Sequence, residues 1–248
     1  MGGDLTLFMQ GILEGKSFRS RLSNPGMMAK VKAGEHNKPL NEFLAKENEA
    51  VRSVFHGKVT YASLVWEKVD WSLFDVVGVD HYRAAKIEDS YVKMLEPAFT
   101  HGKTVVVTES GNATTQRGTG DVGLLSSAGL EEGLIDVKSQ FLHFGIPVLG
   151  RLVRPHLNGE HVRDEAWQAE KIVETLGILD AAGVDGAFYS GFLSQITPYS
   201  ETPRYDLDMA SSSLVKYFEG GRKGTTYPDM TWEPKESFKA VVAYYASH

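Results

Sequence analysis

The sequence predicts an α/β protein built around a parallel β-sheet. Valine-rich apolar segments alternate along the chain with segments in which apolar residues recur every three or four positions. The segment "TVVVT" (104–108) is apolar on both faces, as in strands that are covered by helices on each side. Strands and helices that alternate at this spacing are typical of parallel sheets with right-handed crossovers.

Four segments are predicted to form strands, at residues 58–66, 73–82, 103–112 and 184–193. Amphipathic helices are predicted at residues 40–55, 91–99, 164–183 and 238–245, with a further candidate at 135–145. Asp164 is the predicted N-cap of the third helix, and Gly57, Gly102 and Gly183 are predicted to end helices. A chain of 248 residues matches a complete eight-stranded barrel in length, but four strands do not close one.

The composition excludes several classes of function. The net charge of -6 is mild, and no segment is rich in lysine and arginine, so we predict no nucleic-acid partner. Without cysteine the chain has no disulfide, thiolate metal site or thiol nucleophile, which is typical of cytoplasmic proteins. No apolar run reaches the length of a membrane span, and residues 1–13 lack the basic start of a signal peptide. We therefore predict a cytoplasmic protein with no membrane partner.

Motifs for cofactors and metals are weak. The glycines at 118, 120 and 123 match a dinucleotide fingerprint, but they do not lie directly between a strand and a helix, which favours a flexible loop. His156 and His161 are too loosely spaced to indicate a metal site. The charged segment "RYDLD" (204–208) is interpreted as helix capping and surface salt bridges. We predict neither a cofactor nor a metal.

A carboxylate stands at the end of the third predicted strand. Glu109 follows the valine run and precedes Ser110, Gly111 and Asn112. The carboxyl ends of parallel strands are the edge at which α/β proteins assemble their sites, so Glu109 is a candidate functional residue. The alternative is a solvated side chain that caps the next turn.

These strand ends resemble those of the clan-A retaining glycoside hydrolases. The residues that carry the resemblance are "VVGVDHYR", "VVVTESG" and "AFYSGFL", in which Thr108-Glu109-Ser110-Gly111 corresponds to the Thr-Glu-Phe-Gly context of the family nucleophile. The segments "WEKVDWSLFDVVGVDHYR" and "PRYDLDMASSSLVKYF" look like bacterial barrel proteins labelled abortive-infection proteins. The resemblance implies a parallel β/α barrel of TIM type that is incomplete. It would carry strands five to eight in a single partial barrel domain over residues 1–248.

The resemblance also implies roles for individual residues. Glu109 would be the nucleophile, and Asp4 in the pair Gly3-Asp4 would take the place of the acid/base, although a helix N-cap is an equally suitable role for it. The substrate-binding candidates are Tyr82, His81, Asp80 and Trp66. Their alternatives are rim packing for Tyr82, a solvated side chain for His81, and core or helix packing for Trp66.

Two functions follow from this reading of the sequence. The first is retaining hydrolysis of a glycosidic bond in a carbohydrate substrate. The alternative is a catalytically inactive truncated barrel that acts as an oligomeric or ligand-binding remnant. Because an open four-stranded sheet exposes two edges, we expect the strand near residue 60 of one copy to pair with the strand near 188 of another. The predicted assembly is a homodimer or a tetramer built from dimers.

Overall fold

The computed structural model describes residues 26–64, 66–83, 85–116, 134–136, 138–139, 142–143 and 152–247. Its α-helices are α1 (Met27–Ala33), α2 (Asn37–Arg52), α3 (Glu96–Phe99), α4 (Glu165–Ala181) and α5 (Glu236–Ser247). Its strands are β1 (Ala62–Leu64), β2 (Val76–Asp80), β3 (Thr104–Ser110), β4 (Gly186–Tyr189), β5 (Val215–Tyr217) and β6 (Trp232–Pro234). The glycine motif at 118–123 and five of the eleven residues of the candidate helix at 135–145 lie outside the described residues.

Strands β1 to β4 form one sheet in sequence order. β2 pairs in parallel with β1 and with β3. β3 and β4 are linked by hydrogen bonds from Asp185 N to Val105 O and from Ser190 N to Ser110 O. From the first bond to the second, the residue number rises on both strands, which is the pattern of a parallel pair. The predicted α/β class with a four-stranded parallel sheet is confirmed, and the partial barrel stays a prediction.

The middle of the sheet is buried as the valine runs predict. Val77, Val105 and Val107 are at most 1% exposed. Gly78 follows Val77 in β2 at a point with no room for a side chain, since a Cβ atom there would be 2.6 Å from the backbone oxygen of Tyr61. The close approach of β1 to β2 therefore depends on this glycine.

The predicted ends of the helices are confirmed for α4 but wrong for α2. Asp164 caps α4 by accepting a hydrogen bond from Trp167 N at 2.8 Å, and Gly183 follows the helix with φ of +81°. The helix α2 ends at Arg52 rather than near Gly57. Val54 and Phe55 are 82% and 49% exposed, so the apolar positions that suggested a longer helix bury little surface.

The described residues form two compact units. The first unit comprises the described residues within Met1–His81, Val92–Glu109 and Gly183–Phe188, and the second comprises those within Tyr82–Tyr91, Ser110–Ala182 and Tyr189–His248. The single-domain expectation for residues 1–248 is not decided by this division and stays a prediction. None of the helices in the described ranges is long and apolar enough to cross a membrane.

The second unit contains elements that the sequence did not predict. β5 and β6 pair in antiparallel fashion, with Val215 opposite Pro234 and Tyr217 opposite Trp232. Helices α4 and α5 pack against each other in the same unit. In the first unit, the segment predicted as a helix at 91–99 is a 3-10 turn at Lys93–Leu95 followed by the four-residue helix α3. Pro97 falls in the first turn of α3, where a missing backbone N–H is tolerated.

Candidate active site

In the first unit, the carboxyl ends of β2 and β3 bring three of the predicted site residues together. The pairing of β2 with β3 skips one residue, so that Asp80 lies opposite Glu109 and Thr108 is the extra residue of a β-bulge. The backbone N–H of His81 donates to the backbone oxygen of Glu109 at 2.8 Å. Asp80, His81 and Glu109 are therefore neighbours at one edge of the sheet.

The bulge changes which side chains of β3 are buried. Val105 and Val107 are buried at alternate positions, as in a regular strand, and the next fully buried residue is Ser110 rather than Glu109. Glu109 is half-buried instead. A bulge at this position re-aims the side chain that follows it, and bulges are over-represented beside active sites.

The side chain of Asp80 is held in place at the same edge. Its Oδ1 accepts a hydrogen bond from Thr108 Oγ1 at 2.8 Å, so the extra residue of the bulge also orients the neighbouring carboxylate. Asp80 is 6% exposed and His81 is 2% exposed. The alternative of a solvated His81 is therefore wrong, because this side chain is buried.

The remaining predicted site residues are placed differently. Trp66 lies in the turn after β1, where its ring meets the ring of His36 edge-on, with centroids 5.1 Å apart. This is a packing contact, and the role of Trp66 in stacking on a sugar ring stays a prediction. Tyr82 is half-buried and is the first residue of the second unit. Asp4 lies outside the described residues.

The segment that follows Glu109 along the chain is tightly held within the second unit. The Tyr189 hydroxyl accepts from Asn112 N at 2.7 Å and donates to Asn112 O at 3.2 Å. Gln168 in α4 donates to the same oxygen at 2.8 Å. Burial raises the pKa of Tyr189, so its phenol stays neutral and keeps the proton that it donates. A Cβ at Gly111 would lie 2.7 Å from Ser212 Cβ, which explains the glycine beside Asn112.

A buried ionic network, which we call the ion cluster, lies in the second unit. Arg163 Nη2 contacts Asp206 Oδ2 at 2.8 Å and Asp208 Oδ2 at 2.9 Å. Lys235 Nζ contacts Asp208 Oδ2 at 3.2 Å and Thr114 Oγ1 at 2.9 Å. The side chain of Asp208 is 1% exposed and that of Lys235 is 0% exposed. The interpretation of "RYDLD" as surface salt bridges is wrong, because both of its aspartates are buried.

Burial and pairing act in opposite directions on the charges of the ion cluster. Burial lowers the pKa of Lys235, and the nearby charge of Asp208 opposes that change. Burial raises the pKa of Asp206, and Arg163 opposes it. Glu165 completes the cluster through contacts with Arg163 at 3.1 Å and with Lys216 at 3.0 Å. The cluster thus holds three acidic and three basic side chains, whose charges cancel.

The sequence did not identify Tyr189, Gln168 or the ion cluster as part of this framework. One signal was available, since Gln168 lies among the buried positions of α4 together with Ile172, Thr175, Leu176 and Leu179. A polar residue on the buried face of a helix needs a hydrogen-bond partner. Within the described ranges, no group of three or more histidine, aspartate or glutamate side chains is arranged to hold a metal ion.

The chain matches no family model and no curated protein. Among solved structures, it is similar to a complex of a GH113 β-1,4-mannanase, with 15% identity and a TM-score of 0.46. This similarity covers 84% of the present chain and 51% of the mannanase chain. The chain therefore spans about half the length of that protein.

Proposed function

We propose that this protein is a glycoside hydrolase-like protein that hydrolyses a glycosidic bond with retention, with Glu109 as the nucleophile. The observation that carries the proposal is the β-bulge that sets Glu109 beside Asp80 and His81 at the carboxyl edge of a parallel sheet. The Thr-Glu-Ser-Gly sequence at this edge adds the resemblance to clan-A nucleophiles. The partial barrel of TIM type belongs to the same proposal.

The chemistry requires two carboxyl groups in different protonation states. In the first step a Glu109 oxygen attacks the anomeric carbon, the glycosidic C–O bond breaks, and a carboxylic acid gives its proton to the leaving oxygen. In the second step water attacks the same carbon, gives a proton to the second carboxylate and releases Glu109. In retaining enzymes the two carboxyl groups are about 5–5.5 Å apart. We assign the acid/base role to Asp4.

Asp80 and His81 are assigned to substrate binding in this proposal. The hydrogen bond from Thr108 Oγ1 already orients the Asp80 carboxylate, so its direction is fixed before a sugar binds. A side chain that is held in advance loses little entropy when it binds a sugar hydroxyl. Tyr82 and Trp66 complete the proposed set, with Tyr82 as a hydrogen-bond donor and Trp66 as a stacking surface.

The proposed assembly is a homodimer or a tetramer built from dimers. β1 and β4 are the outer strands of the four-stranded sheet. Phe188, in β4, is 61% exposed, which is unusual for a large apolar side chain in a sheet. An outer strand with exposed apolar side chains is a surface that can pair with another chain.

The proposal is tested by replacing Glu109 with Gln and measuring hydrolysis of a panel of activated aryl glycosides. We expect the wild-type protein to turn over at least one substrate and Glu109→Gln to lose that activity while its circular dichroism spectrum is unchanged. Glu42→Gln, an exposed change of the same chemistry on α2, is the matched control and should keep full activity. A wild-type protein with no turnover on the panel would instead support the inactive, ligand-binding remnant.

A further inference from the structure

We propose that Asn158, in the second unit, is a site of spontaneous deamidation to aspartate and isoaspartate, and that His161 promotes this modification. Asn158 is followed by Gly159, and both residues are exposed in the loop that precedes α4. A glycine after an asparagine lets its backbone nitrogen approach the side-chain amide closely, because no Cβ atom stands in the way. The inference does not depend on the proposed glycosidase activity.

The reaction needs only water as a co-reactant. The N–H of Gly159 loses its proton to water or hydroxide, and the nitrogen attacks Cγ of Asn158 to close a succinimide ring. The new C–N bond replaces the bond to the side-chain nitrogen, which takes a proton from water and leaves as ammonia. Water then opens the ring at either carbonyl. Opening at Cγ gives aspartate, and opening at the backbone carbon gives isoaspartate, in which the main chain runs through the former side chain.

The backbone nitrogen of Gly159 is accessible for this attack. No hydrogen bond within the described ranges is donated by Gly159 N. Its φ of +88° is a conformation that glycine adopts freely and that residues with a side chain rarely adopt. Asn48 in α2 provides a contrast, because the N–H of Glu49 lies inside the helix and donates to a backbone oxygen one turn earlier.

His161 activates the same peptide group. Its Nε2 lies 2.8 Å from the backbone oxygen of Asn158, and a carbonyl only accepts, so Nε2 carries the hydrogen and donates it. This oxygen and the Gly159 nitrogen belong to one amide, so they share the negative charge that the lost proton leaves behind. A fixed donor aimed at an oxygen on which charge develops stabilises the anion more than the neutral amide. His161 is 9% exposed, so its ring is held within the protein.

Isoaspartate would disturb the second unit, because the loop is anchored on both sides of the modified bond. On one side, Leu157 is 3% exposed in the core and Asn158 N donates to Leu134 O at 2.8 Å. On the other side, Asp164 N donates to Thr114 O at 2.9 Å. Isoaspartate adds one methylene to the main chain between these anchors, so the loop must strain or release one of them. The modification should therefore lower the stability of the protein as it ages.

Peptide mass spectrometry of protein incubated at mildly alkaline pH tests the proposal. Trypsin does not cleave between Arg154 and Pro155, so Asn158 is the only side-chain amide in the peptide Leu152–Arg163. This peptide should gain the mass difference between an amide and an acid. The peptide Glu47–Arg52, whose only side-chain amide is Asn48, should do so at least about tenfold more slowly, because its nucleophile must first give up a hydrogen bond. Electron-transfer fragmentation should identify isoaspartate among the products, and aged protein should have a lower urea midpoint than fresh protein.

Two variants of His161 separate its hydrogen bond from its packing. His161→Phe keeps a ring but removes the N–H, and it should deamidate about fivefold more slowly than the wild type, since hydrogen bonds to charged acceptors are the stronger ones. A loosened loop would speed the reaction instead, so a slower rate reports the lost donor. His161→Gln keeps an N–H donor and should retain at least about half of the wild-type rate.

Hydrogen exchange of the Gly159 amide, measured by NMR, gives an independent readout because base-catalysed exchange passes through the same anion. It should slow in His161→Phe by about the same factor of five. Equal rates for the Asn158 and Asn48 peptides would overturn the proposed site. A His161→Phe protein that deamidates or exchanges as fast as the wild type would overturn the role of His161, and equal urea midpoints for fresh and aged protein would overturn the loss of stability.

Discussion

Replacing Asp208 with Asn should strongly destabilise the second unit. The Asp208 carboxylate pairs with both Arg163 and Lys235. In the contacts given above, Lys235 has only Asp208 and Thr114 as hydrogen-bond acceptors. The amide has nearly the shape of the carboxylate, so the change removes charge without opening a cavity. It leaves three basic side chains facing two acidic ones in the ion cluster.

The size of the effect follows from burial. Lys235 is 0% exposed and Asp208 is 1% exposed, so neither charge can turn to water when its partner is lost. Removing one member of a buried ion pair costs about 3–5 kcal/mol. We therefore expect the free energy of unfolding to fall by about 3 kcal/mol or more in Asp208→Asn. Adding Lys235→Met restores the balance of charge and should recover at least about half of that loss.

Urea denaturation, followed by tryptophan fluorescence and circular dichroism, measures both variants. Two-state fits with a common m value compare the free energies of unfolding of the wild type and the two variants. Glu42→Gln breaks the exposed Lys38–Glu42 contact of 3.9 Å on α2 and should not change the midpoint. A loss below about 1 kcal/mol in Asp208→Asn, or a double variant no more stable than Asp208→Asn alone, would refute this reasoning.

Three further predictions concern other parts of the chain. Tyr189→Phe removes the hydroxyl that pairs with both backbone groups of Asn112 and should lower the free energy of unfolding by about 1–3 kcal/mol. Equal urea midpoints would contradict a stabilising role for these two hydrogen bonds. Burial lowers the pKa of His36, so the unfolded chain binds the proton more readily and stability should be lost as pH falls below about 6.5. Urea midpoints from about pH 8 to 5 should show this slope in the wild type and a weaker slope in His36→Phe. Light scattering during size-exclusion chromatography should give two or four times 27.3 kDa, and a single peak of 27.3 kDa would exclude the proposed pairing of β1 of one copy with β4 of another.

The sequence predicts the parallel sheet well because burial on both faces leaves a local signal. The valine run of β3 is apolar at consecutive positions, and Val105 and Val107 are indeed buried. β5 and β6 have three residues each, and none in β6 is fully buried. Such short strands carry no measurable alternation of apolar and polar residues, so neither was predicted.

The sequence predicted only those residues of the candidate site that stand at the ends of recognisable strands. Glu109 was found because it ends a recognisable strand, but the bulge that sets its orientation depends on the register of two strands and has no local signal. The burial of Asp206 and Asp208 was missed for a related reason. Their partners Arg163 and Lys235 lie 43 and 27 residues away along the chain, and charged residues without visible partners are usually exposed.

The central claim is that Glu109 forms a covalent bond to the substrate, and trapping that intermediate tests it most directly. A 2-deoxy-2-fluoro glycoside of the sugar that the wild-type protein hydrolyses should accumulate as a glycosyl-enzyme, visible by mass spectrometry of the intact chain. The tryptic peptide from Thr104 to Arg117 contains Glu109 as its only carboxylate side chain, so a label on this peptide assigns the nucleophile. We predict the mass of one sugar on that peptide and none in Glu109→Gln. A label on any other peptide, or hydrolysis with inversion at the anomeric carbon, would contradict the account.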